Sequence, residues 1–454
     1  MTEGANGRRT GGGPNRMMLR RTLFLLSVCG IAAFIVLAAK LYDIQIVHHD
    51  EYEAAAIAQQ VRETTVSAAR GTLYDRNGRI LAISAGVDTI YISPAEIERG
   101  HEDAEAIAKG LSEILGVDYE TILKRAQNTK SWYEVVARKV EPEVSEKVRE
   151  FKAEGGYSGI KIEADTKRYY PNGSLASHVI GFVGLENKGL GGIEARYDSL
   201  LSGKNGYVMR STTAAGTDML YSSYEDYVDA EDGQSLSLTI DSTIQYYIEK
   251  HLAQAVADYD IQNGAAAICM EVDTGAILSM ASLGNFDLND YQTISAEAEA
   301  EIRAAAQSDE EYNELYSLAQ QLQWRNKAIS DTYEPGSTFK IITLAMALEE
   351  GVVSENSSFY CGGSMNVLGR GSPLKCWKYG GHGSQSLTQA VQHSCNVAFV
   401  NIGQLVGEEK FYEYAEGFGF IDRTQDTSQQ LTAKTGIDLG GESGSIWWSE
   451  DVFC

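Results

Sequence analysis

The sequence is poor in proline and cysteine and contains no low-complexity tract. Its 454 residues include 6 Pro and 6 Cys, and 43% of the residues are hydrophobic. This composition argues against intrinsic disorder and against a small scaffold built on disulfides. No zinc-type spacing of Cys and His is present, so the sequence predicts neither a metal site nor a cofactor. The length predicts about three domains.

Basic residues are also scarce, and their distribution is uneven. The chain has 38 Lys and Arg against 63 Asp and Glu, a net charge of −25. This excess argues against nucleic-acid binding, because contact with phosphates needs a basic surface. Residues 1–21 hold five Arg and one Glu, a balance of +4, so the rest of the chain carries −29.

A long uncharged run follows the basic segment. Residues 22–39 contain no charge, and this length is near the lower limit for a membrane-spanning helix. A buried soluble helix and a cleaved signal peptide are the alternatives. No small-residue cleavage site followed by a loose linker closes the run, which favours an uncleaved anchor over residues 22–41. The flanking arginines predict that residues 1–21 form a cytoplasmic tail and that the chain beyond about residue 43 lies outside.

The exported part divides at a polar break, residues 229–233. Before it, residues 60–95 predict strands, with Asn77-Gly78 as a hairpin turn, and residues 100–155 predict amphipathic helices. After it follow a short strand, a capped helix that begins at Asp241, a hairpin around residues 273–275, and an acid-rich exposed helix over residues 296–320. The predicted fold class is therefore mixed, α/β (α+β), with one domain over residues 42–230 and another over residues 231–454.

Ser337 and Lys340 form the first pair of residues that could carry chemistry. Pro and Gly precede Ser337 and an apolar run follows it, so Ser337 is predicted at a helix N-terminus with Lys340 one turn further on. A capping role explains Ser337 but does not explain Lys340, because a cation in the first turn opposes the helix dipole. Burial and the dipole both lower a lysine pKa, which makes the pair a candidate nucleophile and base. Other copies of S-x-x-K begin at Ser158 and Ser372, but only Ser337 opens an apolar helix.

Ser394-Cys395-Asn396 is the second candidate. It joins two apolar helical runs, residues 386–393 and 397–407. Polar residues between buried helices need partners or line a cleft, so a helix cap and a functional site are equal alternatives. Cys395 is predicted to be a small buried filler rather than a nucleophile.

Together these motifs resemble the class B penicillin-binding proteins, the anchored transpeptidases that cross-link peptidoglycan. The details most resemble the division and sporulation branch of Gram-positive bacteria. The matching segments are RGTLYDRNG (70–78), RYYPNGSLASHVIGFVG (168–184) and GLGGIEARYD (189–198) for an N-terminal pedestal or dimerisation domain, and LTIDSTIQ (238–245), YEPGSTFK (333–340) and SCN (394–396) for a transpeptidase domain with an antiparallel sheet flanked by helices.

The resemblance implies a role for each candidate residue. Ser337 would attack the penultimate D-Ala carbonyl of a stem peptide, release D-Ala and form an acyl-enzyme that a neighbouring amine resolves. Lys340 would be the general base, and the backbone N–H of Ser337 would form half of an oxyanion hole. Ser394 would relay a proton, and Asn396 would hold the substrate amide and steady Lys340. β-Lactams would acylate Ser337.

The C-terminal region departs from the family pattern. Lys434-Thr435-Gly436 has the letters of the third motif, K-[ST]-G, but its context resembles the family's TGIDLPGE segment, which lies shortly after S-x-N. We expect it to be a decoy and the chain to stop before its true third motif. On that interpretation the sequence is a C-terminally truncated fragment, and an inert scaffold of the wall-synthesis complex is the alternative to an enzyme. A penicillin-sensing receptor or β-lactamase is disfavoured by the long N-terminal module and the single anchor.

Two points stay open from the sequence. Cys361 and Cys376 lie 15 residues apart outside the membrane, where a disulfide and two free thiols are both open. The resemblance suggests a lipid II-polymerising glycosyltransferase and division or sporulation proteins as partners. It does not separate roles in division, elongation and sporulation.

Overall fold

A computed structural model describes residues 16–48, 61–211, 225–262, 264–421, 430–431, 435–442 and 447–448. The chain forms two compact units. One comprises residues 1–66 and 205–230, and the other comprises residues 67–204 and 231–454. The first unit thus includes residues 205–230, the last part of the predicted N-terminal domain. The predicted domain boundary between residues 230 and 231 stays a prediction.

The first unit contains the apolar helix, Arg16–Tyr42, which continues as a π-helical turn, Asp43–Val47. Within the described residues, 20–47 is the one helical segment long and apolar enough to cross a membrane. Its large apolar side chains, such as Phe24 and Phe34, are exposed. A helix that is apolar all round and not covered by protein suits a lipid environment. The structure thus agrees with a membrane-spanning helix in this region, and the bounds 22–41 of the anchor stay a prediction.

The first unit also contains a three-stranded antiparallel sheet. Its strands are β1 (Val61–Val66), β6 (Gly206–Ser211) and β7 (Glu225–Val228), in the order β1-β6-β7. The register pairs Val61 with Ser211 and Val66 with Gly206.

The second unit is built at one end on a five-stranded sheet. Its strands are β2 (Leu73–Tyr74), β3 (Ile80–Ile92), β4 (Glu134–Val140), β5 (Ile160–Tyr169) and β8 (Leu236–Ser237). The order is β4-β3-β2-β8, β5 pairs with β3, and only β2 and β8 run parallel.

The sheet tests several strand predictions. The hairpin at Asn77-Gly78 is confirmed, because β2 and β3 pair antiparallel across it and Gly78 has a φ of 79°. Within the stretch of residues 60–95 that predicts several strands, the part after the hairpin turn forms one continuous strand, β3. The helical prediction for residues 134–140 is wrong, because this stretch is β4. The buried Val136 and Val140 of this strand pack into the apolar core of the sheet.

Helices cover this sheet and close its core. They are Pro94–Gly100, Ala104–Leu115, Tyr119–Ala126 and Pro142–Gly155. Asp103 caps the second of these helices, and Gly116 ends it with a φ of 69°. Fully buried Ile107 and Ile122 meet the strands in one cluster. Capping and amphipathic spacing act locally, so these helices follow the sequence prediction.

A buried ion network joins the three N-terminal motifs. Glu194 is fully buried and accepts from Arg70 Nε at 2.6 Å and from Arg168 Nε at 2.7 Å. Arg70 also donates to Asp198 at 2.7 Å. Arg70 and Arg168 come from the first and second motifs, and Glu194 and Asp198 both come from the third, so the network fixes the segments around β2, β5 and the helix Gly192–Arg196.

The remaining part of the second unit is mostly helical. The helix Ser242–Tyr259 is capped by Asp241 and packs on the predicted hairpin, whose strands are β9 (Ala266–Met270) and β10 (Ile277–Ser282). The acid-rich segment forms two helices rather than one. The other helices are Ser177–Ile180, Asp198–Leu201, Ala296–Ala305, Asp309–Trp324, Lys327–Ser330, Lys340–Glu349, Leu387–Gln392, Asn396–Val406 and Glu408–Gly417.

Short strands and a small apolar core support the helices that carry the candidate site. The strands are β11 (Ser358–Cys361), β12 (Ser364–Met365), β13 (Leu374–Lys375), β14 (Gly383–Ser386), β15 (Gln430–Leu431) and β16 (Trp447–Trp448). β11 pairs with β14, β12 with β13, and β15 with β16. The helices Lys340–Glu349 and Asn396–Val406 pack together through Met346, Phe399 and Ile402. This packing sets the distance between the two motifs.

Candidate active site

Ser337 lies at the start of the predicted apolar helix. A 3-10 turn, Gly336–Phe339, leads directly into the helix Lys340–Glu349. Gly336 has a φ of 58°, a backbone conformation that glycine adopts without strain. The Ser337 side chain is exposed, and its hydroxyl forms no hydrogen bond with the described residues. The hydroxyl is therefore accessible to a substrate.

Lys340 sits one turn further on and reaches the second motif. Its Nζ donates to the Ser394 carbonyl oxygen at 2.8 Å, to Ser394 Oγ at 3.1 Å and to Asn396 Oδ1 at 2.6 Å. The structure therefore brings Lys340, Ser394 and Asn396 into one cluster across more than 50 residues of chain. Three acceptors match the three N–H bonds of an ammonium group.

The surroundings of Lys340 are partly apolar. Nζ lies 5.5 Å from the centre of the Phe399 ring. Burial lowers the pKa of Lys340, and the thiols of Cys376 and Cys395 act in the opposite direction. A lysine with a lowered pKa releases a proton more readily and is suited to base catalysis.

The Ser394-Cys395-Asn396 segment is a tight link between two helices. Ser394 has a φ of 45°, and Cys395 precedes the helix Asn396–Val406. The Asn396 side chain bridges two segments, because Nδ2 donates to the Lys375 carbonyl oxygen at 3.2 Å while Oδ1 accepts from Lys340. Asn396 thus orients Lys340, and the Lys375 carbonyl group orients Asn396.

The tripeptide at 434–436 is described only in part. Lys434 lies outside the described residues. Thr435 donates from its backbone N–H and its hydroxyl to Glu442 Oε1, both at 2.6 Å, and Gly436 has a φ of 73°. Residues 435–442 form turns rather than a strand. This geometry supports the interpretation of the tripeptide as a decoy, which stays a prediction.

The sequence did not predict a group of thiols beside this site. Cys361, Cys376 and Cys395 are buried free thiols, and His382 lies with them. Cys361 and Cys376 form no disulfide. The four residues are 15, 6 and 13 positions apart in order along the chain, so no local spacing pattern signals the cluster.

The arrangement can support acyl transfer. An exposed serine hydroxyl begins a helix, and a half-buried lysine amine lies one turn away. A second serine hydroxyl and a carboxamide hold that amine. A nucleophile, a base and groups that orient the base are the parts that this chemistry needs.

Comparison with known proteins agrees with this organisation. The family model for the Penicillin-binding Protein dimerisation domain matches residues 65–238, and the model for the Penicillin binding protein transpeptidase domain matches residues 265–448. Stage V sporulation protein D of Bacillus subtilis is 35% identical over 433 residues, which are 95% of this chain and 60% of that protein. Peptidoglycan D,D-transpeptidase FtsI of Escherichia coli is 28% identical over 341 residues, which are 73% of this chain and 51% of that protein.

Solved structures show the same fold. A penicillin-binding protein, PBP2, from Helicobacter pylori, solved in complex with MreC, is 23% identical and superposes with a TM-score of 0.62. The match covers 84% of this chain and 67% of that one. Fold and matched domains define a penicillin-binding protein with a dimerisation domain ahead of a transpeptidase domain. The chain belongs to the class B penicillin-binding proteins, as the sequence motifs predicted. It spans between half and three fifths of the length of the two curated relatives named above.

Proposed function

We propose that the protein is a serine-type D,D-transpeptidase that cross-links peptidoglycan stem peptides through an acyl-enzyme on Ser337. The observation that carries the proposal is the contact of Lys340 Nζ with both Ser394 and Asn396, one helical turn from an exposed Ser337 hydroxyl. The family and its transpeptidase domain support the same conclusion.

Each residue has a defined role in the proposed reaction. Lys340, in its neutral form, takes the proton of the Ser337 hydroxyl as the oxygen attacks the penultimate D-Ala carbonyl. The peptide C–N bond breaks, an ester bond forms, and a proton passes through Ser394 Oγ to the leaving amine of D-Ala. An amine of a second stem peptide then attacks the ester and frees Ser337. Asn396 holds Lys340 and the substrate amide during both steps.

A β-lactam is the direct probe of this reaction. Its ring amide occupies the place of the D-Ala–D-Ala bond, so Ser337 would open the ring and stay acylated. We expect fluorescent penicillin to label the protein expressed from its complete gene. Ser337→Ala should abolish the labelling, whereas Ser372→Ala, in another S-x-x-K copy on an exposed loop, should leave it unchanged.

The outcome separates an enzyme from a scaffold. Labelling that persists in Ser337→Ala would place the nucleophile elsewhere. A folded protein that binds no penicillin would favour the inert scaffold in the wall-synthesis complex.

The location and domains belong to the same proposal. We infer a single-pass membrane protein with residues 1–21 in the cytoplasm and the catalytic part outside, a pedestal over residues 42–230 and a transpeptidase domain from residue 231. The candidate membrane helix and the matched domains support this arrangement. A lipid II-polymerising glycosyltransferase and division or sporulation proteins stay predicted partners.

A further inference from the structure

Three cysteine thiols and one histidine ring converge beside the candidate active site. The ligand atoms of Cys361, Cys376, His382 and Cys395 all lie within 4.8 Å of one another. Cys376 Sγ is 3.9 Å from Cys395 Sγ and 3.6 Å from His382 Nδ1. The proposed transpeptidase reaction uses none of these four groups.

The two Cys376 distances, 3.6 and 3.9 Å, are close to the spacing of ligands around one tetrahedral metal ion, and the other ligand atoms, all within 4.8 Å, would move inward by up to about 1 Å on binding. Zinc binds thiolate sulfur at about 2.3 Å and imidazole nitrogen at about 2.0 Å, so tetrahedral neighbours lie roughly 3.5–3.8 Å apart. A disulfide, by contrast, requires the two sulfurs at about 2.05 Å. Three thiols and an imidazole are a common ligand set for structural zinc, whereas calcium and magnesium prefer oxygen.

The chain is shaped to bring the four ligands together. Cys361 ends β11, Cys376 follows β13, His382 precedes β14, and Cys395 lies at a helix start. Gly381 has a φ of 81°, and a Cβ there would lie 2.1 Å from the Cys361 carbonyl oxygen. This close approach of two loops therefore requires glycine.

The histidine ring is held by its neighbours. It stacks on His393 with ring centres 4.8 Å apart and planes 7° apart. Its Nδ1 faces Cys376, while its Nε2 is buried with no hydrogen-bond partner among the described residues. A metal on Nδ1 would place the ring proton on Nε2; metal-bound histidines usually donate this N–H to an acceptor, which His382 lacks among the described residues.

We propose that Cys361, Cys376, His382 and Cys395 bind one structural Zn²⁺ ion. Four protein ligands leave no open position, so the ion would organise the site rather than react. The ion would link Cys395 to Cys376. Cys395 lies between Ser394 and Asn396, and the neighbour of Cys376, Lys375, accepts a hydrogen bond from Asn396. The ion would thus fix the segment that holds Lys340.

Metal content and coordination test the proposal. The full chain is purified in detergent under reducing, anaerobic conditions and loaded with Zn²⁺ alone. We expect one zinc per chain, with an X-ray absorption spectrum that fits three sulfur ligands and one nitrogen ligand. Because this spectrum is taken on the unmodified chain, it does not depend on the folding of a variant.

Variants identify the ligands. Co²⁺ in place of zinc should give thiolate-to-cobalt charge-transfer bands and the visible bands of a tetrahedral ion. Cys376→Ser should weaken Co²⁺ binding at least tenfold and reduce the charge-transfer intensity, and His382→Gln should shift the visible bands. Cys269→Ser, at a half-buried thiol outside the cluster, should match the unmodified chain.

Several results would overturn the proposal. Equal metal binding by Cys376→Ser and the unmodified chain would place the ion elsewhere. Oxygen-only coordination would mark an adventitious ion. A reduced chain that takes up no zinc, and in air joins Cys376 to Cys395, would show that these thiols form a redox pair. Penicillin labelling is not part of these readouts, so failure of the proposed function would not affect them.

Discussion

Glu194→Gln should destabilise the second unit far more than a typical carboxylate substitution. The change keeps the side-chain volume but removes the negative charge that contacts both Arg70 Nε and Arg168 Nε. The side chains of Arg70 and Arg168 are 2% and 3% exposed, and that of Glu194 is 0% exposed. Water therefore cannot replace the lost charge.

The size of the effect follows from this burial. Removing one partner of a buried ion pair costs about 3–5 kcal/mol, because the remaining charge is left without compensation. Asp198 and backbone carbonyls still accept from the arginines, so we expect the lower part of this range. A substitution on an open surface changes the free energy of unfolding by only about 0.5 kcal/mol.

The assay is hydrogen exchange during a urea titration, followed by mass spectrometry. A chain of this size need not unfold in one step, so protection is compared segment by segment. In Glu194→Gln, strand β3 should lose protection at a lower urea concentration. Glu113→Gln, on an exposed face of the helix Ala104–Leu115, is the matched control. Equal behaviour of the two variants would refute the assigned role of the network.

Three further predictions follow from single positions. Gly181→Ala should lower the free energy of unfolding by at least about 1 kcal/mol, because Gly181 has a φ of 73° and an added Cβ would lie 1.9 Å from a backbone oxygen. Gly86→Ala is the control, because an added Cβ there meets nothing within 4 Å, and the midpoints of urea unfolding compare the two variants. Burial lowers the pKa of His178, whose Nε2 faces the Gln323 carbonyl oxygen. Below about pH 6.5 the unfolded chain therefore binds a proton at this histidine more readily than the folded chain does, and the free energy of unfolding should fall. His178→Phe should flatten that pH profile, and equal slopes would contradict the assignment. Lys340→Gln should slow penicillin acylation about 10²–10⁴-fold in a stopped-flow assay without loss of fold, and an unchanged rate would exclude Lys340 as the base.

Local signals explain which elements the sequence predicted. The cap at Asp241 and the Asn77-Gly78 turn each act within a few residues, and each predicted the correct element. β4 was missed because a strand depends on a partner that is distant in sequence. Its register with β3, such as Ala137 opposite Ile90, is set by packing that no local window contains.

The same distinction applies to the candidate site. Ser337 and Lys340 are one helical turn apart, so their spacing in the sequence was enough to predict that they lie near each other. Contacts between Lys340 and the 394–396 segment cross 54 and 56 residues, and only the family resemblance predicted them. The four-residue thiol and histidine cluster has no local pattern, and only Cys395 lies in a quoted motif, so the cluster emerged only from the fold.

The backbone at Ser394 connects the two halves of this site. A left-handed conformation at a residue other than glycine costs about 1–3 kcal/mol, and here it persists at φ 45°. The turn lets Ser394 present both its carbonyl oxygen and its hydroxyl to Lys340 Nζ, while Cys395, one residue on, faces the other thiols. Glycine would relieve the strain but remove the hydroxyl. Ser394→Gly should therefore keep the proposed zinc ligands in place while it removes the proton relay and one of the contacts that hold Lys340, so zinc content should be unchanged and penicillin acylation should slow.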